Sequence, residues 1–183
     1  MGDSVKDYLE HFLFYLSLVE WHCPACGAKL VLHAKYQRKV KLPEAVLIMI
    51  ITIIRYRCTG CGKTHAILPD FLAPYRRYAM PVIEAAVAAV VEDEVPLEKA
   101  PGDQDTATTR RWVRRFLSLS EQATGALGSI LLRLKQEILS LVTTDGPCQG
   151  LQRILVRLPE TPATSSFGRA NIWLTLDGSP LWL

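Results

Sequence analysis

The chain has 183 residues, room for one or two domains with a buried core, and its 49% apolar and 21% charged residues exclude wholesale disorder. The formal net charge is only +3, yet residues 1–79 carry 11 Lys/Arg against 6 Asp/Glu, and Thr106 to Phe116 holds four Arg and no acid. Charge concentrated in this way suits a polyanionic partner. The start, Met1-Gly2-Asp3-Ser4, lacks the basic residues and small-residue cleavage pattern of a signal peptide. The longest apolar-like run, Ala45 to Ile54, is ten residues, where a membrane-spanning helix needs about 20. These features predict a soluble, cytoplasmic chain with no membrane partner.

Residues 4–19 open on Ser4 and Asp7 at capping-box spacing, and Leu9, Phe12, Leu13, Leu16 and Val19 recur at helical steps. An amphipathic N-terminal helix is expected within residues 1–20. Residues 21–70 change character. Val46, Ile48, Ile50, Ile51, Thr52, Ile53 and Ile54 are rich in β-branching, and with Pro43 as a turn they favour a strand pair over a helix. After a linker, Pro69 to Tyr78, Pro81 suits a first helical turn and Val82 to Val91 reads as a buried helix that Pro96 ends. Asp105 or Thr106 can cap a helix to about Leu119. Ser118 and Glu121 repeat the capping-box spacing, predicting a separate helix over 120–142. Residues 143–183 mix Gly, Pro, Thr and Ser and stay unassigned.

Four of the five cysteines form two pairs, Cys23-Pro24-Ala25-Cys26-Gly27 and Cys58-Thr59-Gly60-Cys61-Gly62. A two-residue gap lets both thiolates face one metal, and the following Gly permits the left-handed turn that aims backbone amides at sulfur. Four soft thiolates select zinc over hard cations, and in a reducing compartment paired cysteines are more often ligands than disulfides. The 31 residues between Cys26 and Cys58 accommodate a long hairpin. Cys23, Cys26, Cys58 and Cys61 are therefore the expected ligands of one structural Zn2+, with His22 and His65 as flanking alternatives to one Cys. Four thiolates leave no open position for water, so the site is not a catalytic one. Cys148 stands alone, with packing as its expected role.

The second constellation is the arginine helix. At 100° per residue, Arg110, Arg111, Arg114 and Arg115 share an arc of about 140°. Trp112, Val113, Phe116 and Leu117 are assigned to the opposite, buried face. No acid interleaves at i±4, and Arg suits phosphate and guanine recognition. Ala107 and Thr108 stand at the N-terminal end of this face, where a recognition helix meets base edges. Upstream, residues 96–104 leave room for barely one turn where a helix-turn-helix wants a second helix.

The run Trp21-His22-Cys23-Pro24-Ala25-Cys26-Gly27, with Arg55-Tyr56-Arg57-Cys58-Thr59-Gly60-Cys61-Gly62-Lys63-Thr64-His65, resembles an uncharacterised bacterial zinc-ribbon family. It is similar to the N-terminal zinc-ribbon modules of insertion-sequence transposases. Leu72-Ala73-Pro74-Tyr75-Arg76-Arg77-Tyr78 and Thr108-Thr109-Arg110-Arg111-Trp112-Val113-Arg114-Arg115-Phe116 match that family's pattern of a ribbon followed by a helix-turn-helix. The resemblance covers Trp21 to Leu119 and implies DNA binding linked to mobile elements.

The expectation is an α+β chain: a four-cysteine zinc ribbon of β-hairpins (21–70), a helix-turn-helix-like DNA-binding region (71–119), a long C-terminal helix (120–142) and a tail (143–183). Its expected function is non-catalytic binding of double-stranded DNA, as a transposon accessory factor or transcriptional regulator. Lys35, Arg38, Lys39, Lys41, Arg55, Arg57, Arg76 and Arg77 are additional phosphate contacts. Two alternatives are a zinc-ribbon protein adaptor and a DNA-targeting fragment of a transposase. A nuclease is disfavoured, because only Glu121, Glu137, Asp145, Glu160 and Asp177 follow Leu119, too few and over too short a stretch for a two-metal site. Leu127, Leu131, Leu134, Ile138 and Leu141 step 4-3-4-3, a seam that could support a homodimer or pack on the chain's own core.

Overall fold

The computed structural model describes residues 11, 14, 16, 18–43, 48–135, 146–161, 163 and 165–178. The protein is α+β, a three-stranded sheet followed by four α-helices. By contact density it divides into two compact units, Met1–Val40 with Ile48–Pro69, and Lys41–Leu47 with Asp70–Leu183.

In the first unit, β1 (Leu30–Lys41), β2 (Ile48–Cys58) and β3 (Thr64–Ile67) lie in the order β1-β2-β3. The β-branched run expected as a strand is β2, where Ile51, Ile53 and Ile54 are buried; Val46 lies outside the described residues. β3 runs antiparallel to β2 with Tyr56 opposite His65 and Arg57 opposite Thr64. Of the N-terminal helix, His11, Phe14, Leu16 and Leu18 are helical, while Ser4, Asp7, Leu9, Phe12 and Leu13 lie outside the described residues. The Leu16 carbonyl accepts from Trp21 Nε1 at 3.3 Å and from the Tyr56 hydroxyl at 3.5 Å, which ties that helix to the sheet.

The second unit is helical: α1 (Met80–Val91), α2 (Thr106–Lys135), α3 (Pro147–Leu155) and α4 (Ser166–Leu176). Pro81 sits in the first turn of α1 as expected. Asp105 supplies the cap of α2, accepting from the Thr108 N–H at 2.7 Å. Between α1 and α2 lies a single 3-10 turn, Leu97–Lys99, so residues 96–104 form no second α-helix. Lys41 reaches this connection through Asp103, at 2.5 Å.

Two expectations are corrected here. Residues 106–135 form one helix of 30 residues, not two meeting near Leu119. Ser118 does not cap, because its hydroxyl donates backwards to the Arg115 carbonyl at 2.8 Å. The reason for continuity is a single buried stripe, Thr109, Trp112, Phe116, Ser120, Ala123, Leu127 and Ile130, that steps by three and four straight through the supposed break. Leu117 is exposed, not buried. Seven residues after Arg110, it returns to within about 20° of that arginine's azimuth, so it belongs to the outward face.

Leu127 and Leu131 are fully buried in the unit's own core and Leu134 is exposed; Ile138 and Leu141 lie outside the described residues. The tail contributes α3 and α4 to the same core, where Phe116 stacks on Phe167 with ring centroids 5.2 Å apart. Both helices receive N-terminal help from α1. Gly146 precedes α3 without a capping side chain, and the Glu92 carboxylate accepts instead from the Cys148 N–H at 2.8 Å. Glu84 accepts from the Phe167 N–H at 2.9 Å, beside Ser165, whose hydroxyl oxygen caps α4 by accepting from the Gly168 N–H at 3.0 Å. Cys148 is buried, and burial first, then the Glu92 carboxylate, pushes its thiol up to about 12. It packs, as expected, as an inert thiol.

Candidate functional site

The sequence builds the two cysteine pairs into matching knuckles. In the first, the Cys23 N–H donates to the Ala28 carbonyl at 2.8 Å and the Gly27 N–H to the Cys23 carbonyl at 2.8 Å. In the second, the Cys58 N–H donates to the Lys63 carbonyl at 2.8 Å and the Gly62 N–H to the Cys58 carbonyl at 3.2 Å. The two glycines carry the left-handed turn that the spacing predicts, with φ of 72° at Gly27 and 70° at Gly62. Cys23 and Cys58 are buried and Cys26 and Cys61 exposed, again in the same order in each knuckle. The Lys29 carbonyl joins them, accepting from the Thr59 N–H and hydroxyl at 3.1 and 2.9 Å.

The result is one cluster. The sulfurs of Cys23, Cys26, Cys58 and Cys61 all lie within 4.8 Å of one another, with Cys26 to Cys58 at 3.4 Å and Cys23 to Cys61 at 3.7 Å. A tetrahedral zinc–thiolate site with bonds near 2.3 Å needs sulfurs about 3.8 Å apart, so the donor set fits a four-thiolate metal. The Cys61 and Gly60 amides donate to Cys58 Sγ at 3.4 and 3.3 Å. The Cys61 amide first, and then the Cys26 thiol and Gly60 amide, bring the Cys58 thiol down to about 6 against the cost of burial. A β-carbon on Gly60 would lie 2.9 Å from Ala28 Cβ, so glycine is also what lets the knuckles close on each other. Of the two histidines, His22 is exposed and bridges Lys29 in the backbone, whereas His65 Nε2 lies 3.4 Å from Cys23 Sγ. His65 therefore adjoins the cluster as a neighbour of one sulfur.

The ribbon cations separate by face. Arg55 sits over the Tyr36 ring at 5.1 Å, so alternation along the strands puts Tyr36 and Arg38 of β1 on one face with Arg55 and Arg57 of β2, and Lys35 and Lys39 on the other. Lys35, Lys39, Arg55 and Arg57 are exposed, and Arg38 is half-buried. Lys41 is engaged otherwise: its ammonium bonds Asp103 and the Tyr78 hydroxyl, which together raise its pKa.

On α2, Arg110, Arg111, Arg114 and Arg115 are all exposed, and among the described residues none of the four makes an ion pair with a carboxylate. Trp112 and Phe116 anchor the opposite side, Trp112 meeting the Tyr78 ring edge-on at 5.1 Å. Thr108 is half-buried and Ala107 exposed at the helix start. Arg111 leans toward that end, its guanidinium donating to Thr108 Oγ1 at 2.8 Å. The Thr108 amide first, and more weakly Arg111, hold the Asp105 carboxyl below its ordinary range.

Arg76 and Arg77 come from the turn before α1, Arg77 exposed and Arg76 half-buried. Burial, followed by the charges of Arg115 and Arg111, lowers the Arg76 pKa. Arg76 thus joins the α2 face, a grouping visible only once the chain is folded. In the same turn Tyr75 is fully exposed with φ of 60°, a conformation that costs a bulky L-residue about 1–2 kcal/mol. The residue type gives no hint of that conformation, and sequence reasoning passed over it.

Among the described residues no helix is long and apolar enough to cross a membrane. The chain matches the model of a family described as Domain of unknown function (DUF6431) over residues 23–112, a stretch that spans both cysteine pairs, the Tyr75 turn and the first turns of α2. No curated protein and no solved structure matches it.

Proposed function

We propose that this protein is a non-catalytic, sequence-preferring binder of double-stranded DNA whose cysteine cluster holds one structural zinc ion. The observation that carries the reading is the α2 face: four exposed arginines without carboxylate partners, backed by a buried Trp112 and Phe116 that fix the helix behind them. A solvated surface helix ordinarily interleaves acids with its bases; this one presents guanidiniums alone, the group that pairs bidentately with phosphate and guanine. Arg110 and Arg111, nearer the helix start with Ala107 and Thr108, read bases. Arg114 and Arg115 hold phosphates. Arg55, Arg57, Arg38, Lys35 and Lys39 of the ribbon add phosphate contacts. Zinc is the ion that four thiolates select, and a closed tetrahedron assigns it an architectural role. A transposon accessory factor and a transcriptional regulator both accord with this chemistry.

The test is selection of bound duplexes from a random pool, followed by sequencing, for the zinc-loaded protein and for Arg110→Ala and Arg111→Ala. Wild type should enrich a motif, and each variant should relax it at one position, since a bidentate arginine carries about 1–3 kcal/mol of discrimination. No enrichment over input by wild type, or an unchanged motif in both variants, contradicts the reading.

A further inference from the structure

Two described residues other than glycine hold a positive φ, Glu94 and Tyr75. Glu94 belongs to the end of α1: the Val95 N–H donates to the Ala89 carbonyl at 2.9 Å, the bond by which a left-handed residue closes a helix. Tyr75 closes no helix. It lies in a tight turn in which the Arg76 N–H donates to the Ala73 carbonyl at 3.3 Å, and it is the most exposed large hydrophobic side chain described, at 101%. Glycine or asparagine would hold this turn with less strain, and a small polar side chain would leave no ring in water. A ring that packs on nothing in its own chain, held in a backbone state that disfavours it, calls for a contact outside the chain. Its neighbour supplies the chemistry of that contact. Arg76 lies within electrostatic reach of Arg111 and Arg115, which stand one helical turn apart on α2. Three guanidiniums gathered in one place repel each other, and an anion between them relieves the repulsion.

We infer that the Ala73–Arg77 turn is a second DNA-contacting element, in which the Tyr75 ring packs on the sugar and base edges of a duplex while Arg76, Arg111 and Arg115 share the adjoining phosphate. The inference rests on the DNA-binding reading above and adds to it a contact from outside α2. The polyanion is favoured over an apolar protein partner because the only described groups brought to the ring's flank are cations.

The experiment compares wild type, Tyr75→Gly, Tyr75→Phe and an Arg114→Ala/Arg115→Ala variant, measuring affinity for a random-sequence duplex pool at fixed salt, and the thermal midpoint of each. Tyr75→Phe keeps the ring and should bind like wild type. Tyr75→Gly should bind about tenfold more weakly, the scale of one lost aromatic contact to nucleic acid. Its thermal midpoint should hold or rise, because glycine relieves the positive φ. Undiminished binding by Tyr75→Gly, with binding lost in the arginine variant, overturns this inference and leaves the DNA-binding reading standing. A clear fall in the Tyr75→Gly midpoint overturns it too, since the ring would then be structural. Equal losses in Tyr75→Phe and Tyr75→Gly assign the contact to the hydroxyl and overturn the ring's role. No binding by wild type overturns both readings.

Discussion

The two compact units are held together by different means. Around the knuckles the buried cluster is Cys23, Leu30 and Cys58, with Trp21, Ala28 and Tyr56 packed against it. The helical unit instead buries one continuous cluster of nineteen described residues from Ala73 to Leu174, centred on Phe116, Leu127, Leu151 and Phe167. A core of the second kind carries its own folding free energy, whereas a cluster that consists largely of thiols depends on what the thiols bind. The contrast assigns metal to shape and the helical core to rigidity. The arginine face stands on the unit that needs no metal.

The largest expected effect is loss of the metal. Structural zinc contributes about 10–16 kcal/mol to folding of small sites at neutral pH. A chelator, or Cys58→Ser, should therefore abolish the dispersed amide NMR signals of residues 21–67 and leave the helical circular dichroism of residues 80–176 largely in place. Strand signals that survive chelation would show that packing, not ligation, holds the sheet. The reciprocal change sharpens the comparison from the other side. Phe116→Ala removes a fully buried ring stacked on Phe167 and should cost the helical unit about 3–5 kcal/mol in denaturant unfolding, with the metal-to-protein ratio unchanged. Metal lost together with the helices would mean that the two units do not fold separately.

A smaller effect concerns pH. The Thr108 amide depresses the Asp105 carboxyl, so the cap's contribution is fully present above the ordinary aspartate value and is lost as pH falls through the lower folded value. The helical thermal midpoint of Asp105→Ala should lie below wild type at neutral pH, and the gap should narrow in acid. An equal gap at both pH values would detach the cap from its charge.

Much of this was legible because the signals are local. Paired cysteines each followed by glycine give the knuckles, β-branched residues give β2, Pro81 starts α1 and Asp105 caps α2. What escaped depends on groups distant in sequence. The N-termini of α3 and α4 take Glu92 and Glu84 as partners, 56 and 83 residues away, so nothing adjacent marks those helices. Ser118 and Glu121 imitate a helix start, but the Thr109–Ile130 stripe runs through them, and buried area outweighs a local cap. Leu117 was misplaced by reading neighbours in sequence as neighbours in azimuth. Within the site, the four sulfurs were legible, whereas the gathering of Arg76 with Arg111 and Arg115 required the fold.

The most direct test of the central claim is the salt dependence of duplex binding by the zinc-loaded protein, with and without its arginine face. Each phosphate contact contributes about −0.9 to the slope of log affinity against log salt. Replacing Arg110, Arg111, Arg114 and Arg115 with Ala should weaken binding and flatten that slope by at least about two units, one each for the phosphate contacts of Arg114 and Arg115. If affinity and slope are the same in the fourfold variant as in wild type, α2 is only a solvated surface and the claim is contradicted.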